Sequence, residues 1–247
     1  MKRSTPPPTI INRATDKRGL GRFGRLAAAG LLPLRTDEHG RTLVLFEGAG
    51  TADVGDILCP PAAWAIDLDC ASPDHGLDRL PARLLVRAST VATVHHDIVG
   101  MVVEALIQRL PRLDSIGIDI RLALQEAVSN AVMHGNLCLD GRLRSSRDGL
   151  AAFTQAMQRR LADPRFGRRP VTVAVDWNHT HMIIRVEDRG RGFKPPAVSL
   201  PVEPKACSGR GIGQIRSLCQ RVSFTNGGRR ITMRFCLPAD DTAQPTT

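Results

Sequence analysis

Three short stretches of this chain combine residue types and spacings suited to holding a large anionic ligand. The first is Glu126-Ala-Val-Ser-Asn130-Ala-Val-Met-His134-Gly-Asn136. Spacings of i, i+4 and i+8 put Glu126, Asn130 and His134 on one face of a helix, successive members about 6 Å apart along its axis. Ala127 and Ala131 beside them would let a bulky ligand come close to the backbone. Taken alone, the stripe is also what the solvated face of any amphipathic helix looks like. The second stretch is Glu187-Asp188-Arg-Gly190-Arg-Gly192-Phe193. An acid at a strand end followed by two glycines suits a turn that aims a carboxylate at a ligand while the backbone passes close by. The third is Ser208-Gly209-Arg210-Gly211-Ile-Gly213, directly ahead of a helical pattern. Glycines leading into a helix N-terminus make an anion site, because unpaired N–H groups and the positive end of the dipole face the same way. Each of the last two patterns also occurs in ordinary turns, so their order along the chain carries the weight.

The elements that must position these stretches are readable from Ala82 onward. Leu84 to Val86 predicts a short strand, and His95 to Leu110 a helix with Ile98, Met101, Val102, Leu106 and Leu110 on one stripe, stopped by Pro111. Leu122, Ala123, Ala127, Val128, Ala131 and Val132 keep the helical period until Gly135-Asn136, a helix-ending pair. Asp148 to Ala162 predicts an amphipathic helix closed by Pro164. The period then changes to two: Val171 to Trp177 and Met182 to Val186 alternate around a turn at Asn178-His-Thr180, which predicts a hairpin. Gly211 to Val222 returns to a helical stripe, and Ile231 to Leu237 marks a last strand. Helices followed by antiparallel strands with one more helix between them imply an α+β sandwich, helices on one face of a mixed, mostly antiparallel sheet.

The remainder of the chain is described best by its charge. Of the net +10, residues 1–35 carry +7, from eight basic side chains against Asp16, while 36–90 hold nine acids against four basic residues. Residues 1–40, rich in Pro, Gly and Arg, are expected to be a basic arm without fixed structure, and 239–247 a similar polar tail. Residues 41–81 receive no fold, although Thr42 to Phe46 and Ala65 to Leu68 could be strands. Nucleic acid is disfavoured as a partner, since the charge that points to it sits in the arm. Aromatic residues at 4%, with no Tyr, also argue against base stacking. Six scattered cysteines form no metal-ligand spacing or disulfide framework, and no apolar run is long enough for a membrane span. The apolar run from Leu26 to Leu34 holds Pro33 and ends on Arg35 without a small-residue cleavage site, so the expected location is the cytoplasm.

Glu-x-x-x-Asn on a helix, then Asp-x-Gly-x-Gly, then Gly-x-Gly-x-Gly ahead of a helix resembles the N, G1 and G2 boxes of the GHKL ATPase superfamily, which includes gyrase, the heat-shock chaperone, histidine kinases and the mismatch-repair ATPase. The resemblance implies a Bergerat-type two-layer sandwich over 82–238 and covers nothing before it. Arg121 to Asn136, with Ser208-Gly-Arg-Gly211, is similar to the bacterial anti-sigma-factor serine/threonine kinases. By that resemblance the cofactors are ATP and Mg²⁺. Asn130 would give its amide oxygen to the metal, and His134 belongs to the same nucleotide-binding face. Asp188 would accept a hydrogen bond from the adenine amino group, with Gly190 and Gly192 turning the backbone around the base. Gly209, Gly211 and Gly213 would cradle phosphates, and Arg210 would neutralise them or meet a partner. Arg189, Arg191 and Lys205 add positive charge around the same boxes. Glu126 would be the catalytic base, which favours a serine hydroxyl or water over histidine as acceptor.

The implied partner is a regulatory protein, an anti-sigma antagonist or a sigma factor, and dimerisation is common among similar proteins. A switch that binds ATP without phosphate transfer is the alternative, as is a histidine-kinase-type module. His95-His96-Asp97 could mimic a phosphoacceptor box, but the 34 residues from His96 to Asn130 leave no room for a hairpin of two long helices. Two features depart from the family pattern: Lys194-Pro-Pro196 follows Gly192-Phe193 where an acid is common, and 138–170 is an insertion with eight basic residues against three acids. That insertion is expected to be a helical cap with a solvated basic face, the other reading being a docking surface.

Overall fold

The computed structural model describes residues 9–14, 17–29, 42–48, 54–80, 82–141, 147–193 and 210–239, without the side chains of 17–19, 78, 147–148 and 210. It is an α+β structure built on one eight-stranded mixed sheet. The chain enters through strand β1 (Thr9–Asn12) and helix α1 (Lys17–Ala28), followed by β2 (Thr42–Phe46), β3 (Ala62–Asp67) and β4 (Leu84–Ser89). These four strands are parallel neighbours in sequence order. Helices α2 (Thr90–His95), α3 (Ile98–Arg109) and α4 (Gly117–Asn130) follow, and α4 runs on through a π-helical turn over Ala131–Asn136. Next come α5 (Arg147–Ala162), α6 (Pro164–Gly167), β5 (Pro170–Trp177), β6 (His181–Glu187), α7 (Arg210–Leu218), β7 (Arg221–Thr225) and β8 (Arg230–Cys236). The spatial order β1-β2-β3-β4-β5-β6-β8-β7 is antiparallel from β4 onward.

The expected hairpin, the helix ending at Asn136, the amphipathic helix up to Ala162 and the strand Thr42–Phe46 stand where the pattern put them. Several elements differ. The helix expected over 95–110 is broken at His96-Asp97, because Asp97 Oδ1 accepts from Gly100 N at 2.8 Å and so caps a new helix, α3. The strand expected over 65–68 spans Ala62–Asp67. The helix expected to reach Val222 stops at Leu218, and Arg221–Thr225 turns back as edge strand β7 against β8. Finally, residues 9–12 and 17–28 of the expected arm are strand and helix, and the fold-less segment 41–81 supplies β2 and β3.

One face of the sheet carries α3, α4 and the main core, including Ile98, Val102, Leu106, Ala123, Leu124 and Val128. The other face is covered over β2–β4 by α1, whose Phe23 and Ala27 pack with Leu43, Leu45, Trp64, Ile66 and Leu85. Successive residues of β2 thus serve opposite cores, and the strand is buried on both sides. Strands β6 and β8 alternate buried and half-buried residues, as expected for a sheet with one open face. In the insertion, Phe153 of α5 joins the main core, and the guanidinium groups of Arg160 and Arg169 lie 5.4 and 4.6 Å from the centre of the Phe166 ring. Arg168 Nε donates to Asp69 O at 2.8 Å. Part of the insertion's basic charge therefore fastens it to the body of the protein.

Phe23 is fully buried, so Phe23→Ala should destabilise the chain by about 3 kcal/mol, measured by denaturant unfolding. A change under about 0.5 kcal/mol would mean that α1 is not part of the core.

Candidate functional site

The site is assembled where the end of α4, the end of β6 and the start of α7 meet. Helix α4 buries Ile120, Ala123, Leu124, Ala127 and Val128 against the sheet, which leaves Glu126 and Asn130 half-buried on its flank. Asn130 Nδ2 donates to Glu126 Oε1 at 3.1 Å. The first turn of α7 packs against this pair so tightly that a Cβ on Gly211 would lie 1.7 Å from Glu126 Oε1. Glycine is required there by close approach. At Gly213 a Cβ would meet nothing within 4 Å, so no such contact demands that glycine. Gly209 and the Arg210 side chain lie outside the described residues, as do Lys194-Pro-Pro196 and Lys205.

His134 lies in the π-helical turn beyond Glu126 and Asn130, and it contacts the segment that follows. The π-helical turn that begins at Ala131 alters the period on which the i+8 spacing relies. His134 is exposed, its Nδ1 lies 3.1 Å from Leu139 O, and its ring lies against Gly141.

Asp188 follows directly on β6 and is buried against the end of the α4 helix. A Cβ on Gly135 would lie 2.5 Å from Asp188 Cγ, and one on Gly190 would lie 2.1 Å from Gly135 O. Two glycines therefore let the helix end and the Asp188 turn share one space. Asp188 Oδ1 accepts from Gly190 N at 2.7 Å, while Oδ2 accepts no hydrogen bond among the described residues. Burial raises the Asp188 pKa to about 6, opposed by the Gly190 N–H. Gly192 has a left-handed φ of 74° and abuts Gly227 O.

Three contributors are not among the residues singled out from the sequence. Asn136, fully buried, accepts from Arg189 N on Oδ1 at 2.7 Å. Its Nδ2 donates to Thr90 Oγ1 at 2.9 Å and to Pro170 O at 3.1 Å. It lies within the first motif, where it reads only as a helix stop. Glu187 is buried and ion-paired with Arg230, Nη2 to Oε2 at 2.6 Å, and accepts from Asn226 Nδ2 at 3.2 Å. The turn Asn226-Gly227-Gly228 between β7 and β8 holds the Asp188 loop from the side, with Phe193 N donating to Gly227 O at 3.1 Å and Asp188 N to Arg229 O at 3.0 Å. Beside it, Arg191, Gly192, Phe193, Phe224 and Thr225 line a hollow of about 570 Å³. Arg189, expected to face an anionic ligand, instead donates from Nη2 to His75 O at 3.2 Å.

His96 does not begin a long helix. It ends α2, and its Nε2 lies 2.8 Å from Gly48 O. A phosphoacceptor hairpin is therefore not what this segment builds. No helix among the described residues is long and apolar enough to cross a membrane, and these residues hold no cluster of His, Cys, Asp and Glu fit for a metal.

The helix flank carrying Glu126 and Asn130, the buried Asp188 beyond a strand and the glycine-led helix converge, as a nucleotide-binding domain requires. The family model for the histidine kinase-like ATPase domain matches residues 88–235. The chain belongs to this family. No curated protein matches it. As a histidine kinase-like ATPase domain it is an ATP-binding fold of the GHKL superfamily, and β1, α1, β2 and β3 lie ahead of the matched residues.

Because the Asp188 pKa is raised from 3.8 to about 6, the folded chain binds more protons than the unfolded chain between those values. Its stability from this group should fall as pH rises through that window and level off above it. Binding that uses the ionised carboxylate should weaken below about pH 6. Titration of ATP affinity from pH 5 to 8 checks this. The inflection should vanish in Asp188→Asn, and an unchanged inflection there would assign it to the nucleotide instead.

Proposed function

We propose that this ATPase domain binds Mg²⁺·ATP and transfers its γ-phosphoryl group to a serine or threonine hydroxyl of a regulatory partner protein. The single observation that carries the reading is the position of Glu126, a carboxylate held by Asn130 and pressed against the first turn of α7. Phosphates bound at that helix N-terminus would lie beside the Glu126 carboxylate, where a hydroxyl acceptor also has to come. Glu126 takes the hydroxyl proton, the hydroxyl oxygen forms its bond to the γ-phosphorus, and the bond from that phosphorus to the bridging oxygen breaks to release ADP. Asp188 receives the adenine amino group on Oδ2, the oxygen without a partner among the described residues.

The donor set suits the cation. Asn130 uses its amide nitrogen toward Glu126, and its amide oxygen accepts no hydrogen bond among the described residues. A neutral oxygen ligand of this kind is what Mg²⁺ takes alongside phosphates and waters, and the bound cation would offset phosphate charge. The resemblance to anti-sigma-factor kinases makes an anti-sigma antagonist or a sigma factor the partner class, in the cytoplasm.

Glu126→Gln keeps the size and the hydrogen-bonding capacity of the side chain and removes the base. It should leave ATP affinity within about threefold and lower phosphate transfer to a co-purified partner by at least about 100-fold, read with radiolabelled ATP. Unchanged partner regulation in this variant would instead support a switch that binds ATP without transferring phosphate.

A further inference from the structure

We propose that Asn136 is the positioning residue for base recognition, setting the orientation of the Asp188 carboxylate toward the adenine amino group. The inference rests on the reading of Asp188 as the adenine acceptor. Asn136 has no exposed surface, yet its side chain is fully polar, so every bond it makes replaces one to water. Its Oδ1 accepts from the backbone N–H of Arg189 at 2.7 Å, fixing the peptide plane that leaves Asp188. On the other side, Nδ2 is anchored to Thr90 Oγ1 at 2.9 Å and to the carbonyls of Pro170 at 3.1 Å and Arg169 at 3.3 Å. Thr90 Oγ1 is itself held, donating to Arg169 O at 2.8 Å. The carboxamide therefore refers the Asp188–Arg189 peptide to the start of α2 and the start of β5, two parts of the rigid core.

The carboxylate has little other freedom. Gly135 blocks one side, and Gly190 N holds Oδ1 at 2.7 Å. Both constraints act through the peptides that Asn136 fixes: Gly135 precedes it in the chain, and Gly190 follows the residue it binds. The direction of the remaining oxygen, Oδ2, is thus set by the Asn136 side chain through the backbone. Asn136 touches no ligand in this scheme.

The test is the preference of the full chain for ATP over purine riboside 5′-triphosphate, which lacks the 6-amino group, measured by calorimetric titration with Mg²⁺ present. The native chain should prefer ATP by about tenfold, the value of one hydrogen bond to a charged acceptor. In Asn136→Ala the preference should shrink to within about twofold, through loss of ATP affinity rather than gain for the analogue. Because both nucleotides report on the same folded fraction, their ratio is unaffected by partial unfolding. Asn136→Ser is read in the same way should the alanine variant not fold. Asn136→Asp, which retains an acceptor for the Arg189 N–H, should recover part of the preference. Thr90→Val, which leaves that bond intact, should lower thermal stability and keep the preference. A preference retained in Asn136→Ala and Asn136→Ser, or lost equally in Thr90→Val, would overturn the proposal while leaving Asp188 as the base acceptor. No preference in the native chain would remove the adenine reading itself.

Discussion

The close contact between the end of the α4 helix and the Asp188 turn is the constraint on which the site depends. Two backbones meet there with no side chain between them, because Gly135 and Gly190 each lack the Cβ that would collide. The buried carboxylate lies in the same contact, and burial raises its pKa to about 6. Holding such a group near neutral pH requires a scaffold that cannot relax around it. The scaffold consists of the Asn136 carboxamide beneath the turn, the Glu187–Arg230 ion pair on the strand before it, and the Asn226-Gly227-Gly228 turn beside it. Glu126 and Asn130 sit on the same helix that ends at this contact, so the two halves of the site share one rigid reference.

The segment ahead of the matched domain is joined to that reference rather than appended to it. Arg87 of β4 is buried and donates from Nε to Thr172 Oγ1 at 2.9 Å and from Nη1 to the carbonyls of Pro73 and His75 at 3.0 and 2.8 Å. Burial lowers its pKa to about 10. Arg189, next to Asp188, reaches the same His75 carbonyl. At the same C-terminal ends of the strands, Asp67 accepts from the N–H groups of Gly48, Asp69 and Ser89, so the ends of β2, β3 and β4 are tied together where α2 begins. The residues after β3 thus reach the loop that carries Asp188 through His75, and the end of β2 holds the junction between α2 and α3 through Gly48 and His96.

How much of this is readable in the amino-acid order follows from where water reaches. Strands β6 and β8 have one open face, so polar and apolar residues alternate and the strands announce themselves. Strands β2 and β3 are covered on both faces and lose the alternation; β2 shows only as an apolar run, and β3, rich in alanine, is misplaced toward Leu68. Helix α1 is anchored chiefly by Phe23 and Ala27, too few apolar positions to stand out from its Gly and Arg neighbours. Strand β7 escapes because Leu218, Cys219 and Val222 happen to continue a helical spacing. In the site, Glu126, Asn130, Asp188 and Gly211 are readable because each belongs to a motif whose order along the chain is distinctive. Asn136 and Glu187 lie inside the same motifs, yet their roles depend on Thr90, Pro170 and Arg230, which only the fold brings near.

The charge of the chain acquires a different meaning once donors are assigned. Several arginines that flank the motifs are committed to protein acceptors: Arg189 to His75 O, Arg229 to Asn226 Oδ1 at 3.0 Å and Arg230 to Glu187. Two carboxylates, Glu126 and Asp188, occupy the centre of the site. A triphosphate placed against them would meet repulsion from Glu126 that the partial positive charge of one helix end offsets only in part. A nucleotide bound with a divalent cation, for which Asn130 is the proposed ligand, would carry its own compensation. In the proposed reading that cation would make the acid at position 126 tolerable in the ligand-bound site, and the Asn130 amide oxygen, which accepts no hydrogen bond among the described residues, lies one turn along the same helix.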